Sequence, residues 1–168
     1  MRKSLFVALT LLAAGPAFAA EEPSGCGKFK WNIDHARALL TAPDRAKLGP
    51  GSELATLPST GITIALVAPA DAKLPTPPER APKDGTFAGF TKFPAVAKAG
   101  SYTVSLSSGA WIDLVQDGHF LKPTAFSGAR DCEGIRKTVK FDLSATPFVI
   151  QISGARENSL SIAIELSE

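Results

Sequence analysis

Asp113, Asp117 and His119 stand close together in one stretch of the chain. Two carboxylates and an imidazole at that spacing could gather around a cation. The same residues also fit a solvated polar face followed by a turn, because Asp117-Gly118 favours the positive φ angles of a tight hairpin. The dense oxygen-rich spacing of calcium loops is missing. If Ile112 and Leu114 point inward, Trp111 shares the outward face with Asp113 and Val115. An indole beside an acid can offer a flat apolar plane and a hydrogen-bonding neighbour to a sugar or a peptide. Alternatively, an N-terminal helix or a proline-rich segment covers it. A second cluster, Arg130, Asp131, Glu133, Arg136 and Lys137, surrounds Cys132. It reads either as a solvated loop with weak local ion pairs or as a binding edge for an acidic ligand.

Signatures of catalysis are missing. The chain has no G-x-S-x-G elbow, no H-E-x-x-H, no phosphate-binding glycine loop and no C-x-x-C. Catalytic groups can still converge from distant strands, yet no spacing singles out a triad, and no cofactor is expected. Zinc coordination lacks support, since the cysteines do not cluster with the histidines, His35 and His119.

The ends and the charge set the compartment. Met1-Arg2-Lys3, an apolar run from Leu5 to Ala14 and the site Ala17-Phe18-Ala19 form the three parts of a secretory signal peptide over residues 1–19. That run is short of the roughly 20 apolar residues that cross a bilayer. Cys26 invites comparison with a lipoprotein, but Pro23-Ser24-Gly25 precedes it and Glu21-Glu22 separates it from the apolar run, which argues against lipidation. The expectation is export to the periplasm without a membrane span. Losing Arg2 and Lys3 with the signal brings the 18 basic residues down to match the 16 acidic ones. Near-neutral charge without a basic stripe removes the electrostatic basis for nucleic-acid binding.

Disulfides persist in such a compartment. A Cys26–Cys132 pair would pin the N-terminal segment to the rest of the fold, and closing a loop of that size contributes up to about 4.7 kcal/mol in the chain-entropy model. Two separate thiols, one or both buried, are the other reading.

The elements that must position these residues follow from periodicity. Ile33, Ala36 and Leu40 share one face of a short helix over 33–40 that Asn32 can cap. Residues 43–61, rich in proline and glycine, read as an irregular connection. From Ile62 the period becomes two: Ile62, Ile64 and Leu66; Tyr102, Val104 and Leu106; Val139, Phe141 and Leu143; Phe148, Ile150 and Ile152; Leu160, Ile162, Ile164 and Leu166. Phe87, Phe90 and Phe93 mark another strand over 86–93. Pro69, Pro75, Pro77, Pro78 and Pro82 forbid a regular element between them and suit a surface wrap. The pattern predicts a mainly β protein, an antiparallel, jelly-roll-like β-sandwich over 62–168, preceded by a helix and an irregular segment over 20–61 packed on it.

Ala99-Gly100-Ser101-Tyr102-Thr103-Val104, Trp111-Ile112-Asp113-Leu114, Phe141-Asp142-Leu143 and 148–154 resemble the bacterial pre-peptidase C-terminal domain, a jelly-roll sandwich often appended to secreted enzymes. The chain departs from that pattern in carrying no catalytic domain beside it. Over nearly its full length it is similar to a group of short exported proteins of Gram-negative bacteria. The shared pieces are Phe29-Lys30-Trp31, Pro77-Pro78-Glu79-Arg80, Phe90-Thr91-Lys92-Phe93-Pro94, Trp111-Ile112-Asp113, Gln116-Asp117-Gly118 and Arg130-Asp131-Cys132 with Arg136-Lys137. Some members carry the name homogentisate 1,2-dioxygenase. That name implies a much larger cupin-fold enzyme holding ferrous iron through two histidines and a glutamate. Here one histidine falls in the helix and the other beside a turn, so the chemistry does not follow from these residues and the name reads as a transfer error.

The resulting expectation is a non-enzymatic periplasmic binding or interaction protein. Its contact residues would be Trp111, Asp113, His119, Arg130 and Arg136, and its partner a small molecule, a glycan or an envelope protein. The alternatives are a small metal-dependent oxidoreductase using His119 and nearby acids, and an envelope structural or stress protein.

Overall fold

The computed structural model describes residues 21–167. The expected signal peptide over 1–19 lies outside the described residues. In chain order the elements are a single 3-10 turn, Cys26–Lys28, a helix α1, Asp34–Thr41, and eleven strands. The strands are β1, Ala46–Leu48; β2, Ser52–Glu53; β3, Ile62–Ala65; β4, Phe87–Phe93; β5, Gly100–Leu106; and β6, Trp111–Gln116. They continue with β7, His119–Phe120; β8, Ala125–Gly128; β9, Lys137–Leu143; β10, Phe148–Ala155; and β11, Ser159–Leu166.

These strands form two facing sheets, ordered β1-β3-β11-β5-β9-β8 and β2-β4-β10-β6-β7. From β3 to β6 consecutive strands alternate between the sheets, and β10 and β11 do so again. That is the wiring of a jelly roll. All pairs among the long strands are antiparallel. The two exceptions are the edge strands β1 and β2, which add in parallel to β3 and β4. The segment 43–61, expected to be irregular throughout, therefore contributes one short edge strand to each sheet. Its strands are two or three residues long and carry no apolar alternation. Period-two reasoning has nothing to read there.

Alternation does set the interior. Ile62, Ile64, Val104, Leu106, Phe141, Ile150, Ile152 and Ile162 are all buried between the sheets. Burying each such side chain contributes on the order of 1.5 to 3 kcal/mol. Phe93 and Phe148 are cross-strand partners whose rings stack with centroids 5.1 Å apart. Asp117 and Gly118 both take positive φ, 51° and 77°, which makes the β6–β7 connection the tight hairpin that this dipeptide favours.

Both sheets are also covered on their outer faces. On the six-stranded sheet, Ile33, Ala36 and Leu40 of the N-terminal segment pack with Cys132, Ile135 and Ala163 in a second apolar cluster. The helix starts one residue later than periodicity suggests, and Asn32 acts from just outside it, its Oδ1 accepting from the Asp34 N–H at 2.8 Å. Gly61 allows α1 and β3 to approach closely, because a Cβ there would sit 2.4 Å from the Leu39 carbonyl oxygen. The Cys26–Cys132 disulfide ties this layer to the sandwich across 106 positions of sequence. Among the described residues no helix is long and apolar enough to cross a membrane.

Candidate functional site

The outer face of the five-stranded sheet is covered by the proline-rich stretch. Gln151 of β10 and Asp113 of β6 sit side by side in register, both pointing away from the core. Gln151 accepts from the Thr76 N–H at 3.0 Å and donates to the Thr76 carbonyl at 3.0 Å. Asp113 Oδ2 accepts from the Glu79 N–H at 3.2 Å. Proline leaves few free N–H groups in such a segment, and two of them, on Thr76 and Glu79, are the ones these side chains hold. The face expected to carry a solvated Asp113 is thus a closed interface, with Asp113 only 3% exposed and Gln151 1%. A polar residue in an alternating strand looks the same from sequence whether water or another segment covers it.

Trp111 is half-buried at the margin of this strap. Its Nε1 donates to Asp113 Oδ1 at 2.6 Å, and Arg80 and Lys137 each lie 5.6 Å from its ring. Of the two readings of this indole, the geometry matches the one in which the proline-rich segment covers it. Burial pushes the Asp113 carboxyl above its ordinary range, opposed by the Trp111 and Glu79 hydrogen bonds and the Lys137 charge. Burial likewise pushes the Lys137 amine down, helped by Arg136 and Arg80 and opposed by Asp113. Lys137 Nζ donates to the Ala110 carbonyl at 3.3 Å.

His119 is exposed on β7. Asp117 accepts a hydrogen bond from Thr146 Oγ1 at 3.2 Å, and Asp113 is occupied by the strap. Among the described residues no three His, Cys, Asp or Glu side chains come together as a metal-binding group. His35 lies on α1, where its Nδ1 pairs with Glu165 of β11, and His119 belongs to the opposite sheet. The residues present do not fit an iron held by two histidines and a glutamate.

Arg130 and Arg136 converge. Arg130 follows β8, Arg136 immediately precedes β9, and Arg156 stands in the β10–β11 turn. With Ser108 and Gly109 of the β5–β6 connection they line a cleft of about 530 Å³ at one end of the sandwich. The carboxylates at its rim are Glu22 and Glu157. Glu22 reaches Arg136 at 2.7 Å, and Glu21 lies 3.6 Å from Arg130. Among the described residues Arg156 has no ion-pair partner. The Ser108 hydroxyl is turned inward, with almost no surface open to the cleft and no hydrogen-bond partner among the described residues. A second cleft, of about 390 Å³ between α1 and the loop after Cys132, is lined by Asp34, Arg37 and Glu133, and there Arg37 is already bonded to the Glu133 carbonyl at 2.7 Å.

Three guanidinium groups around one concavity suit an anion. Guanidinium recognises carboxylate and phosphate through paired charge-assisted hydrogen bonds. Of the five candidate residues, Arg130 and Arg136 belong to this cleft, Trp111 and Asp113 to the strap interface, and His119 to neither. Arg156 and Ser108 had no warning in the sequence beyond their place in turns, since nothing local says that turns so far apart meet. No protein-family model, curated protein or solved structure matches the chain.

Proposed function

We propose that this chain is an exported, non-enzymatic binding protein of the cell envelope that holds an anionic ligand in the cleft of Arg130, Arg136 and Arg156. The observation that carries this reading is the convergence of those three guanidinium groups from three separate connections on one concavity. Export draws its support from the signal-peptide pattern, and a disulfide-compatible compartment agrees with the Cys26–Cys132 bond. Sequence supplies no catalytic motif to set against binding.

Titration of the purified protein with inorganic phosphate at low ionic strength, followed by calorimetry or amide chemical shifts, tests the reading. Hydrogen bonds to charged groups contribute about 1.5–3 kcal/mol each. Saturable binding should therefore weaken at least tenfold in Arg136→Ala and again in Arg156→Ala, with shifts centred on Ser108 and Gly109. Equal affinity in wild type and the Arg136→Ala/Arg156→Ala double variant would overturn it.

A further inference from the structure

Resting on the reading of the arginine cleft as an anion site, we infer that its ligand is an acidic peptide segment bound in extended form, and that Glu21-Glu22 is a built-in competitor for it. The chain's own N-terminal segment is held as a peptide is held. Arg130 donates its N–H to the Pro23 carbonyl at 2.7 Å, and Gly25 donates to the Arg130 carbonyl at 2.7 Å, closing a parallel bridge between Ser24 and Arg130. Ser24 Oγ donates to Asp131 Oδ2 at 2.6 Å. Just upstream, two consecutive carboxylates meet two arginines, Glu21 on Arg130 and Glu22 on Arg136. Backbone pairing that supplies affinity, with charged pockets that supply specificity, is a recurring mode of peptide recognition.

This self-contact is built to yield. The Glu21 and Glu22 side chains are 92% and 60% exposed, and ion pairs at that exposure contribute little. Residues 21–24 lie outside the loop that the Cys26–Cys132 bond closes, so they can leave the cleft while the disulfide holds. They also leave the site incomplete, because Arg156 stays without an ion-pair partner among the described residues. An acidic peptide that supplied further carboxylates could engage it as well. A bare inorganic anion would use the guanidinium groups but not the backbone of Arg130.

A tethered segment competes at an effective concentration in the millimolar range. Removing its charges should therefore unmask the site. The experiment titrates a blocked synthetic peptide, Glu-Glu-Pro-Ser-Gly, into wild-type protein and into the Glu21→Gln/Glu22→Gln double variant, both exposed positions that do not contribute to the core. The expected result is severalfold tighter binding by the double variant, loss of that binding on adding Arg130→Ala, and no comparable binding of the Gln-Gln-Pro-Ser-Gly peptide. Equal affinity of the two proteins, or equal affinity for the two peptides, would overturn the inference. If phosphate still binds in an Arg136-dependent way in that case, the anion site stands and only its peptide ligand falls. If neither phosphate nor peptide is held, both readings fall together.

Discussion

Gln151 and Asp113 are in-register neighbours on β10 and β6, and between them they grip the proline-rich strap at Thr76 and Glu79. Two buried polar side chains here do the work that an apolar face does elsewhere in the fold. A carboxamide answers both the N–H and the carbonyl of Thr76, and a carboxylate answers the Glu79 N–H while turning its other oxygen to Trp111. Each of these two side chains is itself buried, and the strap backbone supplies the partners it would otherwise lack.

Gln151→Ala should cost about 1–3 kcal/mol, because it removes two part-buried hydrogen bonds to the Thr76 backbone. Asp113→Ala should cost a similar amount, from Glu79 and Trp111. The grips are three residues apart in one strap, so the double variant should lose less than the sum, as coupled neighbours do. Urea denaturation gives the free energies, and hydrogen exchange at Thr76 and Glu79 should accelerate well before exchange in β10 does. Protection of those two amides unchanged in Gln151→Ala would show that the strap is held by something else.

Asp113 and Lys137 should give stability slopes of opposite sign against pH. Burial raises the folded-state value of Asp113 above the ordinary 3.8, so between 3.8 and that raised value the folded chain binds more protons than the unfolded one. Stability contributed by this group is then greatest at low pH and falls as pH rises through the window. Burial lowers Lys137 from the ordinary 10.5, so between its folded value and 10.5 the unfolded chain binds more protons and stability rises with pH. Subtracting Asp113→Asn from wild type across the acidic window isolates the first slope, and Lys137→Met the second across the alkaline one. Asp113→Asn will also lose absolute stability, since its amide has one acceptor oxygen and cannot serve both the Glu79 N–H and the Trp111 Nε1–H. The slope is the informative readout, and two parallel curves would contradict the desolvation argument.

Much of the fold is legible because burial between two sheets imposes a period of two. Ile62 and Ile64, Val104 and Leu106, Phe141 and Leu143, and Ile150 and Ile152 all point where alternation places them. Asp117-Gly118 marks its own hairpin through backbone conformation alone. What alternation does not report is the identity of whatever covers a polar position. Asp113, Gln116 and Gln151 are polar positions in alternating strands, yet all are buried. Gln116 is engaged by Ser144 and Thr146, and Gln151 by Thr76, partners 28 to 75 residues away that have no periodicity of their own. The cleft was half legible for the same reason. Arg130 and Arg136 flank a cysteine and draw notice together, whereas Arg156 and Ser108 join them only through the return of β10 and the crossing from β5 to β6.

The Cys26–Cys132 bond should matter for stability and for the cleft in separable ways. It closes a loop of 106 positions, and removing a link across about 100 residues costs up to about 4.7 kcal/mol in the chain-entropy model. Cys26→Ser/Cys132→Ser should therefore lower the urea midpoint strongly without altering the interior of the sandwich. Its local effect is sharper. Gly25 and Pro23, one and three positions from Cys26, pair with Arg130, two positions from Cys132, so without the bond the acidic segment is held less closely to the cleft and its competition becomes weaker. Below the unfolding transition, the reduced or serine-substituted protein should bind the Glu-Glu-Pro-Ser-Gly peptide more tightly than the oxidised wild type does. Amide exchange at Gly25 and Arg130 should rise in the same samples. A disulfide-free protein that kept wild-type protection at Gly25 would mean that the backbone bridge to Arg130 holds the segment unaided.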